Sequence, residues 1–204
     1  MFGYVDLPEF PPRSHVAPGQ PIAIVRIEER RRRFALVRWG FIPSWLKEVK
    51  PGKPLINARG ETAMEKPSFR NAMRRRRCLV PADGFYEWLG DVPGRKIPYH
   101  VQRADDGLFA FGGLWEHWMG ADGSEIETAL ILTTAANREI SEIHGRMPVV
   151  IAREDFEIWL NGEAADVAKL IQPAPDGTFV LQPAAISRRP KPRASPPADQ
   201  RELF

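Results

Sequence analysis

Short apolar runs, separated by proline and glycine, dominate the pattern of hydrophobic and polar positions along the chain. Runs rich in β-branched and aromatic residues are typical of β-strands. They predict strands at Ile22–Ile27, Phe34–Trp39, Leu55–Arg59, Cys78–Trp88, Ile97–Arg103, Leu108–Trp115, Glu127–Thr134, Met147–Ile151 and Phe179–Gln182. Apolar residues at helical spacing predict helices at Ser68–Arg75, Asn137–Ile143, Glu154–Leu160 and Ala164–Ile171.

The order of these elements indicates the fold class. Strands and helices do not alternate regularly, so we do not expect a doubly wound parallel sheet. We predict an α+β fold, with a compact, mostly antiparallel β architecture and peripheral helices. This domain is expected to span residues 1–187, and the basic, proline-rich residues 188–204 are expected to form a disordered tail.

Composition narrows the class of protein. The 204 residues are 43% hydrophobic and 27% charged, as in ordinary globular domains. A single cysteine excludes an internal disulfide. The sequence shows neither an apolar run long enough to span a bilayer nor a signal peptide. These features predict a cytoplasmic protein with no membrane partner.

The arginines are clustered, although the formal net charge is only +3. A local positive field attracts nucleic-acid phosphates, whatever the net charge of the whole chain. The run Arg30–Arg33 follows two glutamates between predicted strands and is typical of a hairpin tip. The run Arg74–Arg77 follows Arg70 and leads into the segment around Glu87, so we expect Arg70 and this run to contact DNA.

Three polar side chains alternate with small or apolar residues at the end of one predicted strand. Asn57, Arg59 and Glu61 would all lie on one face of that strand. An amide, a guanidinium and a carboxylate in a row are suited to orienting a hydroxyl or a phosphate. The alternative is a solvated strand face without a function.

Glu87 is flanked by Tyr86 and Trp88 and lies close to Phe85. If these rings exclude water from its carboxyl group, the pKa of Glu87 rises and the group is suited to acid–base catalysis near neutral pH. In the alternative, strand alternation turns Tyr86 and Trp88 inward and leaves Glu87 exposed.

His144 follows a predicted helix that Asn137 caps at its N-terminus and Gly145 terminates. A helix C-terminus stabilises a protonated imidazole, which is suited to an acid role. The alternative is a histidine that only caps the helix. The other three histidines have no spacing that indicates a metal site, and no motif calls for a cofactor.

The segment Trp39–Trp45 carries three aromatic residues with glycine and proline between them. Aromatic side chains on such a loop stack on bases or insert into a duplex, so Trp39 is a candidate DNA contact. In the alternative, the loop folds onto the core.

Taken together, these segments resemble the SOS response-associated peptidase (SRAP) family of abasic-site-processing proteins. The most specific match runs from Phe69 to Trp88 and ends Cys-Leu-Val-Pro-Ala-Asp-Gly-Phe-Tyr-Glu-Trp. The other matching stretches follow in the family's order: Val16–Pro21, Arg38–Trp45, Asn57–Glu61, Gly112–Glu116, Leu132–Thr134 with Ala136–Asn137, and His144–Pro148.

The resemblance implies binding of single-stranded DNA, or of junctions between single- and double-stranded DNA, at abasic sites. In the family, an N-terminal cysteine exposed by removal of the initiator Met forms a thiazolidine with the open sugar aldehyde. By this likeness, Asn57 holds the sugar oxygen, and Glu87 and His144 transfer protons during ring opening and closure. Arg59 and Arg146 would lie on nearby phosphates. Apart from this likeness, we expect a monomer.

One departure from the family concerns the N-terminus. Family members begin Met-Cys-Gly-Arg, whereas Phe2 follows Met1 here. We therefore expect the catalytic cysteine, with the first strand and helix, to be missing from this sequence and the native start to lie upstream. Cys78 opens an apolar run and is expected to be buried, so it does not replace the missing residue.

Two other functions stay open at this point. The first is a non-catalytic single-stranded DNA-binding module. The second is a peptidase that acts on other proteins, which is disfavoured because the sequence offers no supported Ser/His/Asp or Cys/His arrangement. Self-processing of the initiator Met fits the resemblance better.

Overall fold

A β-sheet that closes on itself forms the centre of the fold. The computed structural model describes residues 1–4, 13–49, 52–90, 92 and 95–185, so the predicted C-terminal tail lies outside the described residues. The strands are β1 (Pro21–Glu28), β2 (Arg31–Trp39), β3 (Asn57–Arg59), β4 (Arg77–Ala82), β5 (Gly84–Leu89), β6 (Ile97–Arg103), β7 (Phe109–Met119), β8 (Glu125–Ala135), β9 (Arg146–Pro148), β10 (Val150–Ile151) and β11 (Phe179–Pro183). The helices are α1 (Gly60–Ala63), α2 (Arg70–Arg75), α3 (Arg138–Ser141), α4 (Phe156–Asn161) and α5 (Ala164–Lys169), with a 3₁₀ turn at Arg153–Asp155.

The strands form two sheets. The larger has the order β10-β7-β4-β1-β2-β8-β3, and an additional pairing of β7 with β8 closes it. The smaller has the order β11-β6-β5. The pairings of β8 with β2 and β3 are parallel, and the other ladders in the described chain are antiparallel. The predicted α+β fold, mostly antiparallel with peripheral helices, is therefore confirmed.

One part of the core packs the closed sheet against α4. Trp159 of α4 is fully buried, and its indole N–H donates to the Cys78 carbonyl at 2.9 Å. A Cβ at Gly112 of β7 would lie 2.9 Å from the Trp159 ring, so this close approach requires glycine. The same cluster contains Val25, Leu79, Leu114, Leu130 and Leu132.

The other part of the core lies between the two sheets. Phe85 of β5 packs edge-on against Phe111 of β7 and Phe179 of β11, with ring centroids 5.7 and 5.8 Å apart. Edge-to-face packing of this kind suits the charge distribution of aromatic rings. These contacts hold β5, and with it Glu87, against the closed sheet.

Most predicted strands and helices are present, with ends shifted by a few residues. The run Cys78–Trp88, predicted as one strand, is divided at Asp83 into β4 and β5, which belong to different sheets. An uninterrupted apolar run does not reveal where a chain leaves one sheet for another, because each half has the same strand pattern.

The arginine run Arg30–Arg33 lies at a hairpin tip, as predicted. Glu29 and Arg30 both have positive φ, of 48° and 64°, and connect β1 to β2. Two successive residues of this kind form the turn whose twist matches that of the paired strands.

Candidate functional site

A carboxyl group on β5 of the smaller sheet and an imidazole in the segment before β9 lie close together. The Nδ1 atom of His144 lies 3.7 Å from Oε2 of Glu87. The side chain of Glu87 is 22% exposed and that of His144 is 45% exposed, so both are accessible from solvent. The two residues are far apart in the sequence, and the packing of β5 against the closed sheet brings them together. Such a pair is suited to proton transfer.

Strand alternation in β5 places Glu87 on the same face as Phe85, which packs into the core. Tyr86 and Trp88 lie on the opposite face, where the Tyr86 ring packs against His100 with centroids 5.0 Å apart and Trp88 is 39% exposed. The alternative in which Tyr86 and Trp88 turn inward is therefore wrong. The backbone N–H of Trp88 donates to Oε1 of Glu87 at 3.1 Å, which leaves Oε2 facing His144.

The segment that carries His144 is held by a helix cap and by Arg146. Asn137 is buried and accepts a hydrogen bond from the Ile140 backbone N–H at 3.1 Å, so the predicted N-cap is confirmed. The helix ends at Ser141, and the His144 backbone N–H donates to the Ile140 carbonyl at 2.9 Å. His144 thus lies beyond a helix of four residues, whose small dipole adds little to its chemistry.

The backbone of Arg146 fixes the imidazole of His144. The Nδ1 atom lies 3.2 Å from the Arg146 backbone N and 2.9 Å from its carbonyl oxygen. An unprotonated Nδ1 accepts from that N–H, whereas a protonated Nδ1 donates to the carbonyl or to Glu87. The ring can therefore change its protonation state without losing a partner.

The side chain of Arg146 is bound to Glu61. The two terminal guanidinium nitrogens of Arg146 donate to the two carboxylate oxygens of Glu61, each at 2.8 Å, and Nη2 also donates to the Thr133 carbonyl at 2.6 Å. The hydrogen bonds from Arg146 are the main cause that lowers the pKa of Glu61 below its usual value. A phosphate contact by Arg146 stays a prediction, and it would share this guanidinium with Glu61.

Asn57 and Arg59 are exposed on β3, and Ala58 between them is buried. This agrees with the predicted alternation, but Glu61 does not continue it because the strand ends at Arg59 and α1 begins at Gly60. Both β3 and β9 pair with β8 at Thr133, so the segment with Asn57 lies one strand from the segment after His144.

The aromatic loop is divided between the core and the surface. The indole N–H of Trp39 donates to the Ile56 carbonyl at 3.0 Å, and the ring is half-buried against the core. Phe41 is buried, whereas Trp45 is 62% exposed. The alternative in which the loop folds onto the core is therefore correct for Phe41. Trp45 has the more exposed ring and is better placed to stack on a base. Hydrophobic periodicity does not distinguish the exposure of Trp39 from that of Trp45.

The arginines around α2 are also divided. Arg70, Arg74 and Arg75 are exposed. Arg77 is buried, with Nε donating to the Trp159 carbonyl at 2.5 Å, Nη1 to the Met73 carbonyl at 2.7 Å and Nη2 to the Gly162 carbonyl at 2.7 Å. The prediction that the whole run contacts DNA is wrong for Arg77, because buried carbonyls take its donors.

Cys78 is fully buried, as predicted, and burial raises the pKa of its thiol far above the usual value. It therefore lacks the thiolate and the access that a nucleophile needs. Among residues 1–4, 13–49, 52–90, 92 and 95–185, no group of three or more His, Cys, Asp or Glu is arranged to hold a metal ion. Within the same ranges, no helix is long and apolar enough to cross a membrane.

Comparison with known proteins decides the family. The sequence profile described as "SOS response associated peptidase (SRAP)" matches residues 3–187. The chain belongs to the SRAP family. The similar proteins include the "Abasic site processing protein YoqW" of Bacillus subtilis (strain 168), which is 40% identical over 187 residues, 90% of this chain and 84% of that protein. The "Abasic site processing protein HMCES" of Mus musculus is 33% identical over 80% of this chain and 56% of its own length.

Solved structures share the fold of this chain. A Bordetella bronchiseptica protein superposes with a TM-score of 0.77 at 28% identity, covering 91% of this chain and 92% of that one. A Bacteroides thetaiotaomicron protein superposes with a TM-score of 0.74 at 29% identity, covering 82% and 75%. The same fold therefore extends over most of the chain.

Proposed function

We propose that this SRAP protein binds single-stranded DNA, or a junction between single- and double-stranded DNA, at abasic sites and opens the abasic sugar there. The observation that carries the proposal is the accessible pair of Glu87 and His144, 3.7 Å apart. The names of the similar Bacillus and mouse proteins support abasic DNA as the substrate class.

Opening of the abasic sugar requires two proton transfers. A base takes the proton of the C1′ hydroxyl, the C1′–O4′ bond breaks, and an acid gives a proton to O4′, which leaves an aldehyde at C1′. We assign the base role to the Glu87 carboxylate and the acid role to the His144 imidazolium. Asn57 is proposed to hold the sugar oxygen through its amide.

The exposed cations and rings supply the DNA-binding surface in this proposal. Arg59 and Arg70 are assigned to phosphates, and Trp45, with the free edge of Trp39, to the bases. Arg146 is also assigned to a phosphate, which would share its guanidinium with Glu61. Binding of this kind weakens steeply with salt because each neutralised phosphate releases counterions.

The covalent crosslink is proposed only for a form of the protein that carries an N-terminal cysteine. Residue 2 of this sequence is Phe2, and its ring stacks at 5.5 Å on Phe156. Cys78 is buried and has no neighbouring amine with which to close a thiazolidine. The residues of this sequence are proposed to contribute non-covalent binding and ring opening, in a cytoplasmic monomer.

Two measurements test the proposal. Fluorescence anisotropy across a salt series compares single strands that carry an abasic site with intact strands. Aldehyde capture by excess methoxyamine, at saturating protein, then measures the ring-opening rate. We expect tighter binding to the abasic strand and faster capture. Glu87→Gln and His144→Ala should each lower the protein-dependent rate by roughly 10²-fold with unchanged affinity.

His100→Ala is the matched control, since His100 lies on β6 on the face opposite Glu87 and should leave the capture rate unchanged. Parental rates in both Glu87→Gln and His144→Ala would show that these residues are structural. Equal affinity for intact and abasic strands would remove the abasic site from the proposal.

A non-catalytic single-stranded DNA-binding module is the second candidate, favoured by one observation. The exposed ring of Trp45 and the exposed side chains of Arg59 and Arg70 suit binding of a single strand and need no catalytic group. This candidate predicts salt-sensitive binding without any acceleration of aldehyde capture.

A further inference from the structure

The ion pair of Glu61 and Arg146 connects two segments of the candidate site. Glu61 lies in α1, two residues after the end of β3, which carries Asn57 and Arg59. Arg146 opens β9, two residues after His144. The carboxylate and the guanidinium meet through two parallel hydrogen bonds of 2.8 Å. The pair spans β8, with which both strands are paired.

This pair differs from an ordinary surface salt bridge. A single exposed contact between flexible side chains contributes little to stability. Here the geometry is bidentate, Nη2 of Arg146 also donates to the Thr133 carbonyl, and the Thr134 hydroxyl lies 3.4 Å from the same carboxylate. The guanidinium is thus fixed in position and direction, as the planar fork of arginine allows.

The backbone of Arg146 orients the imidazole of His144. The Arg146 N–H and carbonyl are the two groups that contact Nδ1 of His144, at 3.2 and 2.9 Å. A rotation of the Arg146 peptide groups would therefore turn the imidazole away from Glu87. In the described chain, Glu61 supplies the carboxylate that anchors this residue.

We propose that Glu61 is a positioning residue for the candidate site, which acts through Arg146 to hold the imidazole of His144 in the orientation that faces Glu87. Glu61 does not itself transfer a proton in this scheme. Its carboxylate keeps Arg146 in place, the Arg146 backbone keeps the His144 ring in place, and the distance between His144 and Glu87 follows. The effect of Glu61 on the ring-opening rate rests on the proposed function. Its effect on the orientation of the His144 imidazole does not.

The structural consequence is tested by NMR of protein labelled with ¹⁵N in its four histidines. The imidazole signals of His144 are assigned from their loss in His144→Ala. In Glu61→Gln the amide brings N–H donors against the guanidinium and removes the charge, so the His144 nitrogens should move towards the shifts of a free imidazole. The other three histidines should keep their signals.

Two variants complete the test. Glu61→Asp keeps a carboxylate that the long arginine side chain can still reach. The shifts of the His144 nitrogens should therefore stay close to those of the parent protein. Glu65→Gln removes an exposed carboxylate four residues further along and should change nothing. In the aldehyde-capture assay, Glu61→Gln should lower the rate about tenfold, because small displacements of a catalytic group are costly.

Unchanged His144 signals in Glu61→Gln would overturn the proposal, and so would a loss of rate with unchanged signals, since Glu61 would then act in another way. If Glu61→Asp and Glu61→Gln displaced the His144 nitrogen signals equally, a role for the carboxylate would also be contradicted. If the parent protein opens no abasic sugar, the proposed function fails, while the His144 signals still decide the positioning role.

Discussion

The buried guanidinium of Arg77 allows a sharp test of which arginines hold the fold and which contact DNA. Its side chain donates to the carbonyls of Trp159, Met73 and Gly162, and burial lowers the pKa of the guanidinium, although the group stays protonated near neutral pH. Arg77→Ala leaves these three carbonyls without the guanidinium donors and removes one link between β4 and α4, while the bond from Trp159 to the Cys78 carbonyl remains.

The expected loss follows from the number of short bonds. A hydrogen bond to a charged group contributes about 1.5–3 kcal/mol, and a buried carbonyl left without a donor costs about 1–3 kcal/mol. Because contributions within one network do not add, we expect Arg77→Ala to lower the free energy of unfolding by about 3–5 kcal/mol. Arg77→Lys keeps the charge but loses the fork, so it should recover only a minor part of this loss.

Urea unfolding followed by tryptophan fluorescence measures the effect, with Arg75→Ala as the matched control. Arg75 is exposed at the end of α2, so its removal should change stability by less than about 0.5 kcal/mol. If Arg75 contacts a phosphate, its removal should also reduce the salt slope of DNA binding by about 1. A loss below about 1 kcal/mol in Arg77→Ala would refute the structural role assigned to these bonds.

Three further predictions concern other parts of the molecule. The Cys78 thiol should not react with a thiol reagent such as DTNB at pH 8 in the folded protein but should react in urea, because burial raises its pKa. Asn137→Ala should lower the free energy of unfolding by about 1 kcal/mol in urea titrations, through loss of the α3 cap. Since the folded pKa of Glu61 is lowered, its contribution to stability is present above the usual carboxyl pKa and is lost as pH falls through the lowered value. Glu61→Gln should therefore flatten the acid limb of the stability profile, measured by thermal unfolding at several pH values, and an unchanged limb would contradict this assignment.

The fold class and most element positions could be predicted because they depend on local periodicity. Strands such as Ile97–Arg103 have the predicted ends, and the hairpin tip before β2 is present. The Asn137 cap was also predictable, since a capping side chain bonds to its own first helical turn. The resemblance to the SRAP family, read from several ordered motifs, is confirmed by the match over residues 3–187.

The partners of individual side chains were less predictable. The run Arg74–Arg77 is uniform in sequence, yet Arg77 is buried and Arg75 is exposed, because α2 ends between them and β4 enters the sheet. The pairing of Glu61 with Arg146 left no signal in the sequence, since the two residues are 85 positions apart.

The amino-acid sequence by itself determined most of the strands and helices and the positions of the candidate acid–base and phosphate-binding side chains, because pleat periodicity, helix caps and charge act over a few residues. Only the tertiary structure decided that β4 and β5 separate at Asp83, that Glu87 turns to the side of Phe85, and that His144 meets its carboxyl. The physical reason is that each of these depends on which apolar faces pack together when the chain closes its sheet, and no short stretch of sequence carries that information.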